Sequence, residues 1–583
     1  MSNNTIQPII VLKLGGSVLA SEGSLPLAVH EVYRWLREGY RVVAVVSALN
    51  GVTDRLLSRA RAFCPQPDEG AVAALLATGE STSAPLLSLA LDRAGIPATV
   101  LNVHQIGLRV EGSVLDAQPV TLDASAVRWA LDERAVAVVP GFIGVNEQGG
   151  LSLLGRGGSD LTALFIGQQL GARVRLLKDV PGLFESDPAK PGPVPRLFEG
   201  LSWDEALALD GRIVQHKAVQ FAKDHAQSFE VASLNGGRET VIGSAAATFA
   251  ERVPARRSAT RIGLLGLGTV GLGVLRGVQQ LEDRLAVDAI AVRTLRKHVD
   301  AGVDLSLLTT DPWRVVESPV ELVVETIGGI EPALQLISSA LRAGKDVVTA
   351  NKAVIARHGP ELAALAERSG ARLRFSAAVG GAVPILENLR RLSRLGRIRR
   401  VEGVVNGTCN FILDRLAEGQ EFEAALSQAQ ASGFAEADPG TDLEGIDAAA
   451  KLVLIAREAL GEELSIEQID RQGIVGISVD DLREAARHGE TIRLVASVER
   501  TAVGIVASVK PRRVTLDDPL AQARAEHNRV VVEFEGGALG PVVLHGKGAG
   551  RYPTAEAVIG DVLELLRERA DANGSTPVVD VQL

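Results

Sequence analysis

The C-terminal half carries carboxylates and a lysine with the spacing of a proton-transfer site. Asp447 and Lys451 are four residues apart in an Ala-rich stretch, so they share one face of a predicted helix. Glu436 and Asp442 precede them in the same segment. Such a group can hold an amino group and deliver a proton. The spacing also fits ordinary helix capping with an i,i+4 salt bridge, which stays open as the alternative.

Polar residues also follow two strand-like runs of this half. Thr326 follows the run at 323–325, and Lys352 comes shortly after the run at 345–349. Open α/β sheets bind ligands at the carboxyl ends of their strands. We therefore expect Thr326 at a cofactor site and Lys352 pointing into the cleft, with a surface lysine as the alternative.

A glycine pattern at 266–271 lies between a predicted strand at 261–265 and a helical stretch at 272–281. In a G-x-G-x-x-G turn, the first glycine allows the tight turn, the second lets the backbone approach a pyrophosphate, and the third allows helix and sheet to pack closely. This context predicts a nicotinamide dinucleotide site, and a purely structural turn is the alternative. The predicted contacts are Gly266, Gly268, Thr269, Val270 and Gly271.

The next predicted strand, at 287–292, bears on the choice of cofactor. It ends in Arg293, and Arg296 and Lys297 follow. An acidic residue here would favour NAD, whereas arginine can pair with a 2′-phosphate. NADP(H) is therefore preferred, with NAD(H) as the alternative, and solvated loop cations would explain the same residues without a ligand.

These motifs resemble the homoserine dehydrogenase family, from about residue 259 to 575. The resemblance implies interconversion of aspartate 4-semialdehyde and homoserine with NAD(P)H, in threonine and methionine biosynthesis. Besides the glycine turn and the acidic segment at 435–447, the matching stretches are Val-Val-Thr-Ala-Asn-Lys-Ala at 347–353, Val-Gly-Gly-Ala-Val-Pro-Ile at 379–385, Asn-Gly-Thr-Cys-Asn-Phe-Ile-Leu at 406–413 and Gly-Ala-Gly-Arg-Tyr-Pro-Thr-Ala at 548–555.

The same resemblance implies roles for single residues. Lys451 matches the catalytic lysine that protonates the forming alcohol, and Lys352 matches a second catalytic lysine beside the nicotinamide. A monovalent cation, Na⁺ or K⁺, would bind backbone carbonyls near Val379, Gly381 and Val383, although Ser376 stands where the family usually has Glu. The matched substrate residues are Gly407, Thr408, Glu436, Asp442 and Asp447, and Gly548 is a further cofactor residue.

Glycine-rich loops follow strand-like runs of the N-terminal half as well. A cation beside free backbone N–H groups suits phosphate, with plain turns as the alternative. The loops resemble the amino-acid kinase family, most closely the catalytic domain of aspartate kinase, over about residues 8 to 243. The resemblance implies phosphorylation of L-aspartate by ATP with Mg²⁺. It assigns Lys13, Gly15, Gly16, Ser17, Lys178, Asp179 and Gly182 to ATP and phosphate, and Thr53, Glu80, Arg156, Ser159 and Asp160 to aspartate.

Two features depart from aspartate kinases. Ser81, Thr82 and Ser83 form the predicted loop after Glu80, where an Arg is usual near the Glu. Between 243 and 261 there is no room for paired ACT regulatory modules of ~70–80 residues each, so feedback control of the usual kind is not expected. The alternative to a fused aspartate kinase and homoserine dehydrogenase is a homoserine dehydrogenase with a catalytically silent, ligand-binding kinase-fold module.

The elements that must position these residues alternate between strands and helices. Buried strands are predicted at 9–14, 41–46, 135–139 and 174–177, with helical spacing at 27–38. This alternation predicts an α/β chain. With the two resemblances, it predicts an α/β/α amino-acid kinase fold at 1–250, a linker at 251–260, a Rossmann domain at 261–390 completed by 546–583, and an α+β substrate and dimerisation domain at 391–545.

Composition narrows the class of protein further. The 583 residues carry a formal net charge of −10, which disfavours non-specific nucleic-acid binding. There are two cysteines, no apolar run of ~18 residues and no secretory signal pattern. We expect a cytoplasmic enzyme that acts on small molecules and has no nucleic-acid or membrane partner. A homodimer or higher homo-oligomer is expected from the family resemblance.

Overall fold

The computed structural model describes residues 7–187, 195–234, 239–250, 259–281, 284–295, 303–432, 434–435, 438–537 and 539–572. The chain divides into two compact units. The first consists mainly of Gln7–Arg93 and Pro97–Arg257, and the second mainly of Ser258–Leu565. Most of the predicted linker, at 251–258, lies outside the described residues.

The first unit is a layered α/β structure. Its central strands are runs of Val, Ile and Leu, typical of parallel strands buried on both faces. The strands are β1 (Ile9–Leu14), β2 (Arg41–Val46), β3 (Ala98–Val100), β4 (Arg109–Ser113), β5 (Asp116–Thr121), β6 (Val136–Pro140), β7 (Ile143–Val145), β8 (Leu151–Leu153), β9 (Arg173–Lys178), β10 (Phe198–Ser202), β11 (Phe229–Ser233), β12 (Glu239–Gly243) and β13 (Thr248–Phe249).

Within the described residues these strands form two sheets. The large, mainly parallel sheet has the order β13-β10-β12-β11-β9-β1-β2-β6-β3, and the small one has the order β5-β4-β7-β8. Because β1, β2 and β9 are parallel neighbours, the loops at their carboxyl ends meet at one edge. The helices are α1 (Leu25–Arg37), α2 (Val52–Phe63), α3 (Glu69–Arg93), α4 (Ala124–Glu133), α5 (Gly158–Leu170), α6 (Trp203–Ala208) and α7 (His216–Asp224).

One prediction for this unit is wrong. The sequence was expected to form a loop after Glu80, but Glu80 lies in the middle of α3, and 81–83 continue the helix. The hydroxyls of Thr82 and Ser83 donate to backbone carbonyls four residues earlier, so these polar side chains are satisfied inside the helix. Glu80 is therefore held by a continuous helix.

The second unit begins with a Rossmann sheet. Its strands are all parallel and lie in the order β16-β15-β14-β17-β18-β19, which is the 3-2-1-4-5-6 order of dinucleotide-binding folds. The strands are β14 (Thr260–Leu265), β15 (Leu285–Ala291), β16 (Leu308–Thr309), β17 (Leu322–Glu325), β18 (Asp346–Thr349) and β19 (Leu373–Arg374). The helices are α8 (Thr269–Gln279), α9 (Pro312–Glu317), α10 (Ala333–Arg342) and α11 (Lys352–Arg368).

A second, mainly antiparallel sheet follows, in the order β21-β23-β22-β20-β24-β25. Its strands are β20 (Ile398–Val404), β21 (Asp470–Arg471), β22 (Glu490–Thr501), β23 (Gly504–Thr515), β24 (His527–Phe534) and β25 (Val542–Lys547). The remaining helices are α12 (Ile385–Leu395), α13 (Gly407–Ala417), α14 (Phe422–Ala431), α15 (Gly440–Leu443), α16 (Ile446–Leu460), α17 (Val479–Arg487) and α18 (Arg551–Ala572). The predicted α/β and α+β architecture is confirmed.

Helix α16 lies at the centre of this part of the unit. It is apolar around most of its circumference, and it packs against α11, α12 and β22, so almost every residue in it is buried. Asp447 and Lys451 are the charged residues among them. None of the described helices is long and apolar enough to cross a membrane.

Candidate active sites

The glycine turn at 266–271 connects β14 to α8 as the sequence predicts. Gly266 has a φ of 100°, a conformation that glycine adopts without strain. A Cβ placed on Gly268 would meet no atom within 4 Å, so the space above this backbone is open. Open space over a glycine, next to the free N–H groups of the first turn of α8, fits the pyrophosphate of a dinucleotide.

Thr326 and Glu325 organise the neighbouring loop. The Thr326 hydroxyl donates to the carbonyl of Gly266 at 3.1 Å and thereby braces the glycine turn. The fully buried Glu325 accepts from the backbone N–H groups of Ile327 and Gly328 at 2.7 and 3.2 Å. Burial raises the pKa of Glu325. Sequence reasoning missed this residue, although an acidic side chain at the end of an apolar strand was a visible signal.

Three charged residues meet at the carboxyl edge of the Rossmann sheet. Lys352 is the first residue of α11, directly after β18, and its ammonium group pairs with Asp447 Oδ1. Lys451 Nζ lies 2.8 Å from Asp447 Oδ2 and donates to the carbonyl of Val405 at 2.6 Å. The tertiary structure therefore joins the two predicted catalytic lysines through one carboxylate.

The electrostatics of this cluster favour charged groups in spite of burial. Burial of Asp447 opposes its ionisation, but the charges of Lys451 and Lys352 outweigh that effect and hold its pKa below the usual range. The Lys352 side chain is 46% exposed, whereas that of Lys451 is 11% exposed. Lys352 therefore faces open space, and Lys451 is fixed within the protein.

Other predicted substrate residues lie beside the cluster. The Asn406 amide donates to Asp442 Oδ1 at 2.7 Å and to Asp447 Oδ2 at 2.8 Å. The Thr408 hydroxyl donates to the carbonyl of Phe434 at 2.7 Å, and Asp442 Oδ2 is 3.1 Å away. Sequence reasoning did not select Asn406, although it directly precedes Gly407, the first residue of α13.

Several predicted residues form no hydrogen bond or ion pair with this cluster within the described part of the chain. Arg293 is exposed just after β15. Val379, Gly381 and Val383 lie in the buried segment before α12, where a Cβ on Gly381 would clash with the backbone of Gly548 at 2.7 Å. The predicted residues Arg296, Lys297 and Glu436 lie outside the described part of the chain.

In the first unit, most predicted kinase residues line one cleft of ≈ 420 Å³. Asp160 lies between two lysines: its carboxylate oxygens are 2.7 Å from Lys13 Nζ and 2.8 Å from Lys178 Nζ. Burial lowers the pKa of Lys13 to about 8, and the two lysines outweigh burial to hold the pKa of Asp160 at about 2. The predicted residues that line the cleft are Lys13, Gly16, Ser17, Thr53, Glu80, Arg156, Ser159, Asp160 and Lys178.

Glu80 is a buried acidic residue of this cleft, and it forms no ion pair with the described residues. One oxygen accepts from the backbone N–H of Ala48 at 3.1 Å, and the other has no hydrogen-bond partner among the described residues. Glu80 is 3% exposed, and burial raises its pKa to about 7. A buried carboxylate with a free oxygen suits an incoming cationic group.

A second cavity of ≈ 510 Å³ lies next to the cleft and has a more apolar lining. It is lined by residues between Val180 and Asp187 and between Ala206 and Val214, including the predicted Gly182. Arg212 and Ile213 line both cavities. Sequence reasoning missed Arg212, because its loop at 209–215 carries no phosphate-binding pattern.

Comparison with known proteins assigns both halves of the chain to known families. Protein-family models match at 384–563, described as homoserine dehydrogenase, and at 266–376, described as the homoserine dehydrogenase NAD binding domain. The homoserine dehydrogenase of a Synechocystis species is 40% identical over 318 residues, which cover 52% of this chain and 73% of the relative. That of Corynebacterium glutamicum is 41% identical over 327 residues, covering 54% and 73%.

The chain belongs to the homoserine dehydrogenase family. A solved structure of a homoserine dehydrogenase from Thiobacillus denitrificans agrees, with a TM-score of 0.52 and 38% identity, covering 55% of this chain and 76% of that one. The amino acid kinase family model matches residues 8–244. The predicted fusion of an amino-acid kinase domain to a homoserine dehydrogenase is therefore confirmed, as is NAD(P) as the class of cofactor.

Proposed function

We propose that the dehydrogenase half interconverts aspartate 4-semialdehyde and homoserine, with NADPH as the preferred cofactor. The observation that carries the proposal is the cluster of Lys352, Asp447 and Lys451 at the carboxyl edge of the Rossmann sheet. Gly266, Gly268, Gly271 and the start of α8 would hold the dinucleotide on the same edge. An aldehyde bound between the turn and the cluster would have its oxygen beside an ammonium group.

Bound NADPH would supply the hydride that reduces the aldehyde carbon. The negative charge then developing on the substrate oxygen is stabilised by nearby ammonium groups, and Lys451 donates the proton that completes the alcohol. Asp447 keeps both lysines in place because each carboxylate oxygen faces one ammonium group. Asp442, Thr408 and Gly407 would contact the rest of a four-carbon substrate.

Steady-state assays of the full chain test this activity. NADPH should be oxidised in the presence of aspartate semialdehyde, and homoserine should reduce NADP⁺ in the reverse direction. If neither reaction occurs while the protein binds NADPH, the proposed substrate is wrong.

Cofactor preference is tested at Arg293, which is exposed just after β15, where the adenosine ribose of a Rossmann cofactor lies. Arg293→Ala should raise the KM for NADPH more than the KM for NADH, because only NADPH carries the 2′-phosphate. Equal effects on the two cofactors would remove this argument. Arg276→Ala, an arginine near the far end of α8, is the matched control.

For the kinase half, we propose phosphorylation of L-aspartate by ATP. What supports this is the position of Lys13 and Lys178 on either side of Asp160, in a polar cleft that shares Arg212 with a more apolar cavity. The apolar cavity suits the base of ATP, and the two lysines would neutralise charge on the transferred phosphoryl group. Mg²⁺ would bind through the phosphates.

Glu80 is the group proposed to hold the amino group of aspartate in this cleft. Thr53, Arg156 and Ser159 line the same cleft and would contact its carboxylates. Formation of aspartyl hydroxamate from ATP, aspartate and hydroxylamine tests the kinase activity. Its absence under conditions where the dehydrogenase half is active would contradict the proposal.

A catalytically silent kinase-fold module is the second candidate for this half. The observation that favours it is the uncharged stretch at 81–83, whose Thr82 and Ser83 hydroxyls are bonded to their own helix. No cation on this stretch stands beside Glu80 to bind the carboxylates of aspartate. ATP binding by calorimetry without hydroxamate formation would support this candidate.

A further inference from the structure

Asn406 lies between the two carboxylates of the dehydrogenase site. Its amide nitrogen donates to Asp442 Oδ1 at 2.7 Å and to Asp447 Oδ2 at 2.8 Å. Its amide oxygen accepts from the backbone N–H of Cys409 at 2.8 Å. This last bond fixes which end of the amide carries the N–H groups, because only the oxygen can accept from a backbone donor.

We propose that Asn406 is a positioning residue that holds the carboxylates of Asp442 and Asp447 at a fixed separation and thereby fixes the ammonium group of Lys451 for proton transfer. The inference rests on the proposed dehydrogenase activity. The role is distinct from catalysis itself, since Asn406 acts through the two aspartates and through the lysine that one of them binds.

The physical reason is the shared donor. Two carboxylates that bind the same NH₂ group lie within two hydrogen-bond lengths of each other, where their charges repel. The amide offers one N–H to each and so favours the close arrangement. Without it, Asp447 would turn away from Asp442, and it would take with it the ammonium groups of Lys352 and Lys451, which pair with its two oxygens.

Among the described residues, charged or titratable groups from four elements face the amide of Asn406. They are Lys352 of α11, Asp442 of α15, Asp447 and Lys451 of α16, and the buried Cys409 of α13. The thiol of Cys409 donates to the carbonyl of Asp442 at 3.2 Å, and burial raises its pKa well above the usual value, so it is neutral. In the described part of the chain, the charges at this position are therefore two carboxylates and two ammonium groups.

Asn406 also stabilises a helix, and the test must separate this structural function from the proposed positioning of the carboxylates. Its oxygen caps the N-terminus of α13. Asp caps helices as well as Asn does, so Asn406→Asp keeps the cap and removes both N–H donors. Asn406→Ala removes the cap and the donors together. Asn410→Ala, in the same helix, removes a buried amide that donates to the carbonyl of His527, away from the carboxylates.

The experiment compares the three variants and the wild-type full chain by thermal unfolding and by kcat/KM for homoserine over a range of pH. We expect Asn406→Asp to remain folded at the assay temperature and to lose about 10²-fold in kcat/KM, as small displacements of reacting groups do. The acidic limb of its pH profile should move to higher pH, because three adjacent carboxylates take up a proton more readily than two. Asn410→Ala should lower the unfolding temperature and leave the profile in place.

Two results would overturn the inference while the proposed function stands. One is wild-type kcat/KM and an unshifted profile in Asn406→Asp. The other is a loss of activity in Asn406→Ala alone, in step with its loss of stability, which would make Asn406 only a helix cap. A wild-type chain without homoserine-dependent reduction of NADP⁺ would instead overturn the proposed function, and the inference with it.

Discussion

At the scale of single residues, both sites place one buried carboxylate between two lysines. Asp447 lies between Lys352 and Lys451, and Asp160 lies between Lys13 and Lys178. In each case burial opposes the negative charge and two cations outweigh it, so the pKa of the carboxyl group is lowered. Such a carboxylate is a poor proton acceptor at neutral pH, and its use is to hold ammonium groups where negative charge develops on a substrate.

Lys451 is the residue on which proton transfer depends in the proposed mechanism. Lys451→Ala should lower kcat for the dehydrogenase by the ~10²–10⁴-fold typical of losing a general acid, with little change in the Kd for NADPH. Lys510→Ala, an exposed lysine paired with Asp470 on the second sheet, is the matched control and should keep full activity. Near-normal turnover in Lys451→Ala would mean that another group donates the proton.

Glu80 should give the kinase reaction a pH dependence near neutrality. Since burial raises its pKa to about 7, it gains its charge as the pH rises through that value. The ionised carboxylate attracts the ammonium group of aspartate, so the KM for aspartate should fall between about pH 6 and pH 8. Glu80→Gln, which cannot ionise, should show a high KM without this fall. The same fall in the variant would assign the titration to another group.

At the scale of elements, the position of each strand end determines which side chains can meet. The parallel order of β14, β17 and β18 brings the glycine turn, Thr326 and Lys352 to one edge, although they are far apart in sequence. Helix α16 then brings Asp447 to Lys352 from the other domain of the same unit. An active site made from strand ends and one buried helix is rigid, because both are fixed by the core.

The glycine turn offers a matched pair of substitutions within one element. Gly268→Ala adds a methyl group to open space, so it should leave stability unchanged and weaken NADPH binding by about tenfold or more. Gly271→Ala would place its Cβ 2.2 Å from the carbonyl of Gly266, so it should destabilise the unit by about 1–3 kcal/mol. Denaturant unfolding and fluorescence titration with NADPH distinguish the two. Unchanged NADPH affinity in Gly268→Ala would contradict the proposed pyrophosphate position.

At the scale of the whole molecule, two compact units each carry one candidate site. The kinase residues of the 420 Å³ cleft all come from the first unit, and the dehydrogenase cluster comes from the second. The described residues of each candidate site therefore come from one unit of the chain. The product of the proposed kinase reaction, an acyl phosphate, is not the substrate of the proposed dehydrogenase, so a reductive dephosphorylation must connect them.

This division predicts that each activity can be removed by itself. Lys13→Ala should abolish hydroxamate formation and leave homoserine oxidation unchanged, because it removes a cation from the kinase cleft alone. Lys451→Ala should have the opposite effect. Hydroxamate formation and homoserine oxidation are both measured for each variant and for the wild type. Loss of both activities from either substitution, in protein that remains folded, would contradict independent sites.

The sequence determined the local elements and the two families. Runs such as 9–14 and 41–46 are strands at the predicted bounds, and the glycine turn has the predicted strand–turn–helix context. These features are set by neighbouring residues, since apolar runs specify buried strands and glycine specifies tight turns. The predicted loop after Glu80 was wrong. Ser and Thr are typical of loops, but their hydroxyls can also donate hydrogen bonds to backbone carbonyls within a helix.

The tertiary structure alone decided which charged groups share a site. Lys352 and Asp447 are 95 residues apart in sequence and come together only when α11 packs against α16. Nothing in either segment specifies the other. Asn406 was missed for the same reason, since its role follows from Asp442 and Asp447, which folding brings close to it. The sequence specifies which chemical group each residue carries. The charges, separations and shared hydrogen bonds of these groups depend on the tertiary structure, because packing brings the groups together and removes them from water.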